Sequence, residues 1–205
     1  MGIKILKEAK EYSKIMENIK KEKLSSCMKH ISNYLVSSAQ KKINNGIDPE
    51  NAPLTQAVKQ GSKTLRDSGN LISSIAAHSG ENWAAAGTNL KYAKINQQGG
   101  TISSKKSSGL WIPASANTRT LMRKYNAQKA GELISAMKAD GYSIYRNKNI
   151  CIAKSKRGKP FALFVIKESV EIPARPFLYI DESDKKYIQR QIRKMVKDSL
   201  KEGKQ

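Results

Sequence analysis

The sequence predicts an α+β fold: a long N-terminal helix, a central and largely antiparallel β-sheet with an inserted helix-plus-hairpin region, and a C-terminal amphipathic helix. Three observations carry that expectation. Apolar residues recur at three- and four-residue steps near both ends of the 205-residue chain. Short β-branched and aromatic runs, bounded by turn residues, occupy the middle. Proline and glycine punctuate the joins between the two patterns.

The first helix, or two successive ones, is expected over residues 4–44. Ile5, Ala9, Tyr12, Leu24, Met28, Ile31, Leu35 and Ala39 repeat at helical spacing, with lysine and glutamate between them. Asn44-Asn45-Gly46 supplies the stop, because these residues tolerate the left-handed backbone of a helix C-cap. A stripe of that length needs cover, either from its own domain or from partner subunits. Asp48 to Pro53 reads as a connector, and Leu54 to Gln60 together with Thr64-Leu65 as a short helix. Leu71 to Ala77 is an apolar run of undecided type. Ser79 to Asn82 then makes a turn into a strand over Trp83 to Thr88, with helix as the alternative for the alanines.

Tyr92 to Gln98 ends at the double glycine Gly99-Gly100, and a Ser/Lys/Gly-rich loop is expected from there to about residue 110. Leu110 to Pro113 resumes order briefly. Residues 118–139 carry a helical pattern that stops at Asp140-Gly141. Tyr142 to Tyr145 and Ile150 to Ala153 form a hairpin, and Phe161 to Ile166 and Val170 to Ile172 are further strands. Asp181 or Ser183 caps the last helix, whose expected stripe is Ile188, Ile192, Met195, Val196 and Leu200. The whole chain, 1–205, reads as one domain with residues 103–168 as an inserted subregion.

Composition narrows the function classes. A net charge of +21 favours polyanionic partners, or else reflects solvated lysine-rich faces and codon bias, since the lysines are scattered along the chain. No apolar run is long enough to span a bilayer, and the charged start does not suit a signal peptide, so no membrane partner is expected and the protein should stay in the cytoplasm where it is made. Cys27 and Cys151 read as buried thiols. His30 and His78 lack metal-ligand spacing, and neither a nucleophile elbow nor a phosphate-binding glycine loop is present. The acidic group Asp181, Glu182, Asp184 suits a helix N-terminus better than a carboxylate site. No catalytic residue, metal or cofactor is therefore expected. The basic loop Lys154 to Lys159 and the lysines Lys105 and Lys106 are candidate phosphate contacts, but nothing resembles a sequence-reading nucleic-acid motif.

Two segments carry a resemblance. The first runs through Leu65-Arg66-Asp67-Ser68-Gly69-Asn70-Leu71, Ser74-Ile75, Gly87-Thr88, Tyr92-Ala93 and Asn96-Gln97-Gln98-Gly99. The second is Ile172-Pro173-Ala174-Arg175-Pro176-Phe177-Leu178, followed by an amphipathic helix. Together they resemble the phage virion morphogenesis family of tail-completion and head-tail-joining proteins, with Asn96 standing where the family often has histidine. The resemblance implies a non-enzymatic structural protein of the virion tail or neck, assembled in the host bacterial cytoplasm. It implies docking to tail tube, terminator and head-tail connector proteins, a homo-oligomeric ring with a hexamer expected, and non-specific contact with DNA in the channel. The alternative is a free basic, non-specific nucleic-acid-binding protein. Candidate interface residues are Pro173, Arg175, Phe177, Tyr92, Gln97, Lys105 and Lys106. Pro173 and Pro176 stiffen the backbone around Arg175, which either pairs with a carboxylate of its own fold or a neighbour, or belongs to a turn that only locks the last helix in place with Phe177 as a core anchor.

Overall fold

The computed structural model describes residues 21–59, 63–105 and 109–202. The expected helical stretch 4–20, and Lys106, lie outside them. The elements begin with helix α1 (Lys21–Asn45), α2 (Pro53–Val58), α3 (Asn70–Ser73), the strands β1 (Ala76–Ser79) and β2 (Ala84–Gly87), and α4 (Ala93–Gln98). Next come β3 (Gly100–Ser103), β4 (Leu110–Pro113), α5 (Ala116–Lys124) and α6 (Ala130–Ala139). The chain closes with β5 (Ser143–Asn147), β6 (Ile150–Lys154), β7 (Phe161–Lys167), β8 (Ser169–Ile172) and α7 (Glu182–Glu202). The fold is α+β, and among the described residues every strand pairing is antiparallel.

The described residues group into two compact units: one takes in those within 21–45, 70–93 and 176–202, the other those within 46–69 and 94–175. In the first, α1 packs on the β1–β2 hairpin and on α7. Cys27, Met28 and Ile31 form one buried cluster there, with Leu24, Leu35, Ala84, Ile188 and Met195 packed around them. The alanines of β2 settle as strand, because small side chains let the hairpin approach α1 closely. The undecided run after Leu71 divides: α3 ends at Ser73, and Ala76 begins β1.

The expected stripe of α7 is partly corrected. Ile192 and Leu200 are 38% and 41% exposed, while Asp184 and Ser199 are buried and Ile188 and Met195 are partly buried. Two contacts with α1 set this face: Tyr187 stacks on Tyr34 with ring centroids 3.6 Å apart, and Asp184 bonds Ser38 and Lys42. A hydrophobicity pattern does not weigh such polar anchors.

The second unit is built on a four-stranded sheet in the order β4-β7-β6-β5. Helices α5 and α6 cover one face. Leu133 and Met137 meet Cys151, Ala153, Leu163 and Phe164 there, and Trp111 packs edge-on to Phe164. The predicted 118–139 helix is two helices, broken after Tyr125 where Asn126 takes φ +48°. Ser115 caps α5 by accepting from the Thr118 amide. A bulge on β7 places both Leu163 and Phe164 on the covered face.

The loop expected from Gly100 to about residue 110 is corrected at its start, which is strand. Residues 100–103 form β3, which pairs with β8 from Gly100↔Ile172 to Ser103↔Ser169, and the Ser104 amide donates to Glu168 O. Pairing resumes at Leu110↔Lys167. Strands β8 and β7, which follow one another closely in sequence, thus pair in turn with β3 and β4. Ladder bonds explain why serine and threonine here are extended despite their loop-like composition.

Candidate functional site

The two segments singled out in the sequence meet in the second unit. Gly100 pairs with Ile172, and the Arg175 amide donates to Asn96 O at 2.7 Å. Gly99 lies between these contacts with φ +72°, and a Cβ built on it would fall 2.7 Å from the Ala174 nitrogen. Only glycine satisfies both the left-handed backbone and that approach. Asn96 contributes its backbone carbonyl here, so asparagine in place of histidine leaves this bond intact.

Arg175 is 6% exposed. Its Nε donates to Pro49 O and its Nη2 to Glu50 O, both at 2.7 Å. The planar guanidinium holds two successive carbonyls of the connector before α2, a geometry that lysine's single ammonium does not reproduce. A carboxylate partner was one of the two expectations from the sequence, beside a turn that only locks the last helix; the guanidinium's partners are carbonyls. Burial lowers the guanidinium pKa from its ordinary value. In the same unit Arg119 Nη1 bonds Asp67 Oδ2 at 2.7 Å, tying the Leu65 to Gly69 loop to α5.

The remaining candidates separate. Pro173 is exposed beside Arg175, and Gln97 is partly exposed at the end of α4. Lys105 is exposed, two residues beyond the end of β3. Tyr92 and Phe177 belong to the first unit, Tyr92 exposed and Phe177 fully buried as a core anchor.

Sequence reasoning placed Asp181 and Asp184 at the start of the last helix but missed the polar network that joins them to α1 in the first unit. Asp184, fully buried, accepts from Ser38 Oγ at 2.7 Å, from Lys42 Nζ at 2.6 Å and from the Asp181 amide at 3.0 Å. Asp181 in turn accepts from the Asp184 amide, so the two acids cap α7 reciprocally. Lys42 also donates to Tyr179 O and lies 4.1 Å from the centre of its ring. Burial raises the Asp184 pKa, but the bonds from Lys42 and Ser38 outweigh it and leave the carboxyl below its usual range. Burial likewise lowers Lys42, and its bonds to Asp184 and Asp181 reverse this and raise it. The signal was present in the Ser38/Lys42 spacing of four on one helix face and in the Asp181/Asp184 spacing at a helix start.

This chemistry is that of an anchor. Among the described residues no cluster of three or more His, Cys, Asp and Glu is placed to hold a metal ion, and no helix is long and apolar enough to cross a membrane. Both cysteines are buried and free, and burial pushes their thiol pKa values up.

Residues 7–138 match the phage virion morphogenesis family, which is more than half of the chain. The chain belongs to that family. No curated protein and no solved structure matches it. The matched range contains Asp67, Asn96 and Gly99, whereas the Pro173 to Ile180 run lies beyond it. Arg175 still reaches into the family region through Asn96, Pro49 and Glu50. Membership makes this a phage assembly protein, with other virion proteins as its partners.

Proposed function

We propose that the chain is a non-enzymatic structural protein that completes the tail or joins head to tail, docking as a neck or terminator component against neighbouring ring proteins. The observation that carries this reading is the family match over residues 7–138. Its partners are then the tail tube, the terminator and the head-tail connector, and it remains in the finished virion. A homo-oligomeric ring, a hexamer by analogy with other virion joints, fits a chain that acts by docking. The polar anchors support the reading as well. Arg175, Asp184 and Lys42 are engaged inside their own units, which suits a rigid building block better than a reaction centre. The +21 charge also fits non-specific contact with DNA in the channel.

The test is to inactivate the gene in the phage that encodes it and to examine the particles by electron microscopy. Unjoined heads and tails, or tails of abnormal length, are expected, with joining restored when the full chain is supplied. Normal infectious particles, or purified particles without the chain, overturn the reading. A free basic nucleic-acid-binding protein is the second reading, favoured by the charge alone. It predicts duplex binding that weakens steeply with salt, with no defect in particle joining.

A further inference from the structure

The lysines look scattered in the whole sequence, but one stretch is different. Between Gly141 and Lys167 there are seven basic residues and no acidic one. That stretch supplies β5, β6 and β7, three of the four strands of the second unit's sheet.

Strand alternation sorts the sheet's side chains. Cys151, Ala153, Leu163 and Phe164 face α5 and α6 and are buried. The residues between them face the other way. Ile112, Val165 and Ile150 stand in one row across three strands, and Ala162, Ile152 and Tyr145 in the next. None of these six belongs to the core formed with α5 and α6. Five are partly exposed, and Tyr145 is 57% exposed. At the two ends of this apolar surface lie Lys167, opposite Leu110, and Lys154, opposite Ser143, both exposed. Lys148, Lys156, Arg157 and Lys159 occupy the adjoining turns and are exposed too.

We propose that this outward face of the β4-β7-β6-β5 sheet is a docking surface for another virion protein, one that presents an apolar patch flanked by carboxylates. The inference rests on the assembly reading and names the surface and chemistry through which assembly occurs. Charge selects the occupant. A second copy placed face to face brings the same lysines and no carboxylate from any of the four strands, so like charges would confront each other. A nucleic-acid backbone calls for cations along its track, whereas here they lie at the ends and turns around apolar rows. An apolar centre with a charged rim is the anatomy of a protein–protein interface, and a complementary partner supplies aspartate and glutamate at that rim.

The test uses the full chain in the phage that encodes it, with p-benzoylphenylalanine in place of Tyr145. Assembled particles are irradiated and the cross-linked peptides identified by mass spectrometry. A cross-link to a different virion protein, in an apolar segment bordered by aspartate or glutamate, is expected. In parallel, Lys154→Glu with Lys167→Glu is expected to lower the copies per particle at least ten-fold, while Lys154→Arg with Lys167→Arg keeps them. Thermal melts of the purified variants separate this loss from unfolding. Cross-links to a second copy, to DNA or to another part of the same chain overturn the proposal, as does wild-type occupancy of the glutamate variant. Absence of the unmodified chain from particles overturns the assembly reading itself, and is measured first.

Discussion

Arg175 holds the carbonyl of Pro49 through its Nε at 2.7 Å, across 126 residues of sequence. The second bond, from Nη2 to Glu50 O, makes the contact a fork, so position and orientation of the connector are fixed together. Arg175→Ala is expected to cost about 2–4 kcal/mol, since each hydrogen bond from a charged group contributes about 1.5–3 kcal/mol and water replaces part of it. Arg175→Lys should recover less than half, because an ammonium does not span both carbonyls. Urea unfolding gives the energies, and amide exchange over residues 46–53 should quicken in both variants. Unchanged exchange there would mean that the connector is held by other contacts.

Gly99→Ala tests the meeting of the two family-like segments. The substitution forces a side chain into φ +72° and puts its Cβ 2.7 Å from the Ala174 nitrogen, which is backbone and does not swing aside. Gly46→Ala is the matched control, at φ +92° with nothing within 4 Å of the added carbon. The control should lose about 1 kcal/mol for backbone strain alone. Gly99→Ala should lose about 2–4 kcal/mol, with weaker pairing of β3 and β8 seen as faster amide exchange in both strands. Equal losses for the two alanines would show that the approach to Ala174 does not matter.

The parts of the fold that follow a period were readable in advance. Met28, Ile31 and Leu35 announce α1, and Ile150 to Ala153 and Phe161 to Ile166 announce their strands. Turn chemistry located the β5–β6 hairpin and the end of α6, and it marked the turn at Ser79 to Asn82 while leaving β1 undecided. Thr101, Ile102 and Ser103 were hidden, because their strand exists through ladder bonds to β8, which lies some seventy residues away. The packing face of α7 was hidden too, since Asp184 is buried for what Ser38 and Lys42 offer it rather than for its own hydrophobicity. At the candidate site the sequence read Gly99 as a turn glycine, and it takes φ +72°; it offered Arg175 as an interface residue, and the backbone carbonyls that hold its guanidinium leave no trace in a residue pattern. The outward sheet face was equally silent. Each strand looks like an ordinary buried run, and only the pairing of Ile112, Val165 and Ile150 shows that half of those side chains lie away from the helices.

Asp184 and Lys42 give the first unit a signed dependence on pH. The Asp184 carboxyl titrates below its ordinary value, so its contribution is complete above about pH 4 and is lost as pH falls through the lower folded value. Lys42 is raised, so its contribution is complete below about pH 10 and is lost as pH rises through the higher folded value. Between those limits stability from this pair should be flat. Asp184→Asn should cost about 2–4 kcal/mol at neutral pH, because Lys42 loses its buried counter-charge while Asn adds a donor facing a donor. The variant should also lack this group's share of the acid limb. Lys42→Met behaves differently. It leaves the Asp184 carboxylate buried with Ser38 and the Asp181 amide but no cation, so desolvation regains the upper hand and its pKa rises. The penalty of Lys42→Met should then be greatest near pH 7 and shrink toward pH 4 as Asp184 takes up a proton. Denaturation midpoints followed by circular dichroism across that range distinguish the two variants. A Lys42→Met penalty that stays constant from pH 7 to pH 4 would show that the ammonium is not what keeps Asp184 ionised.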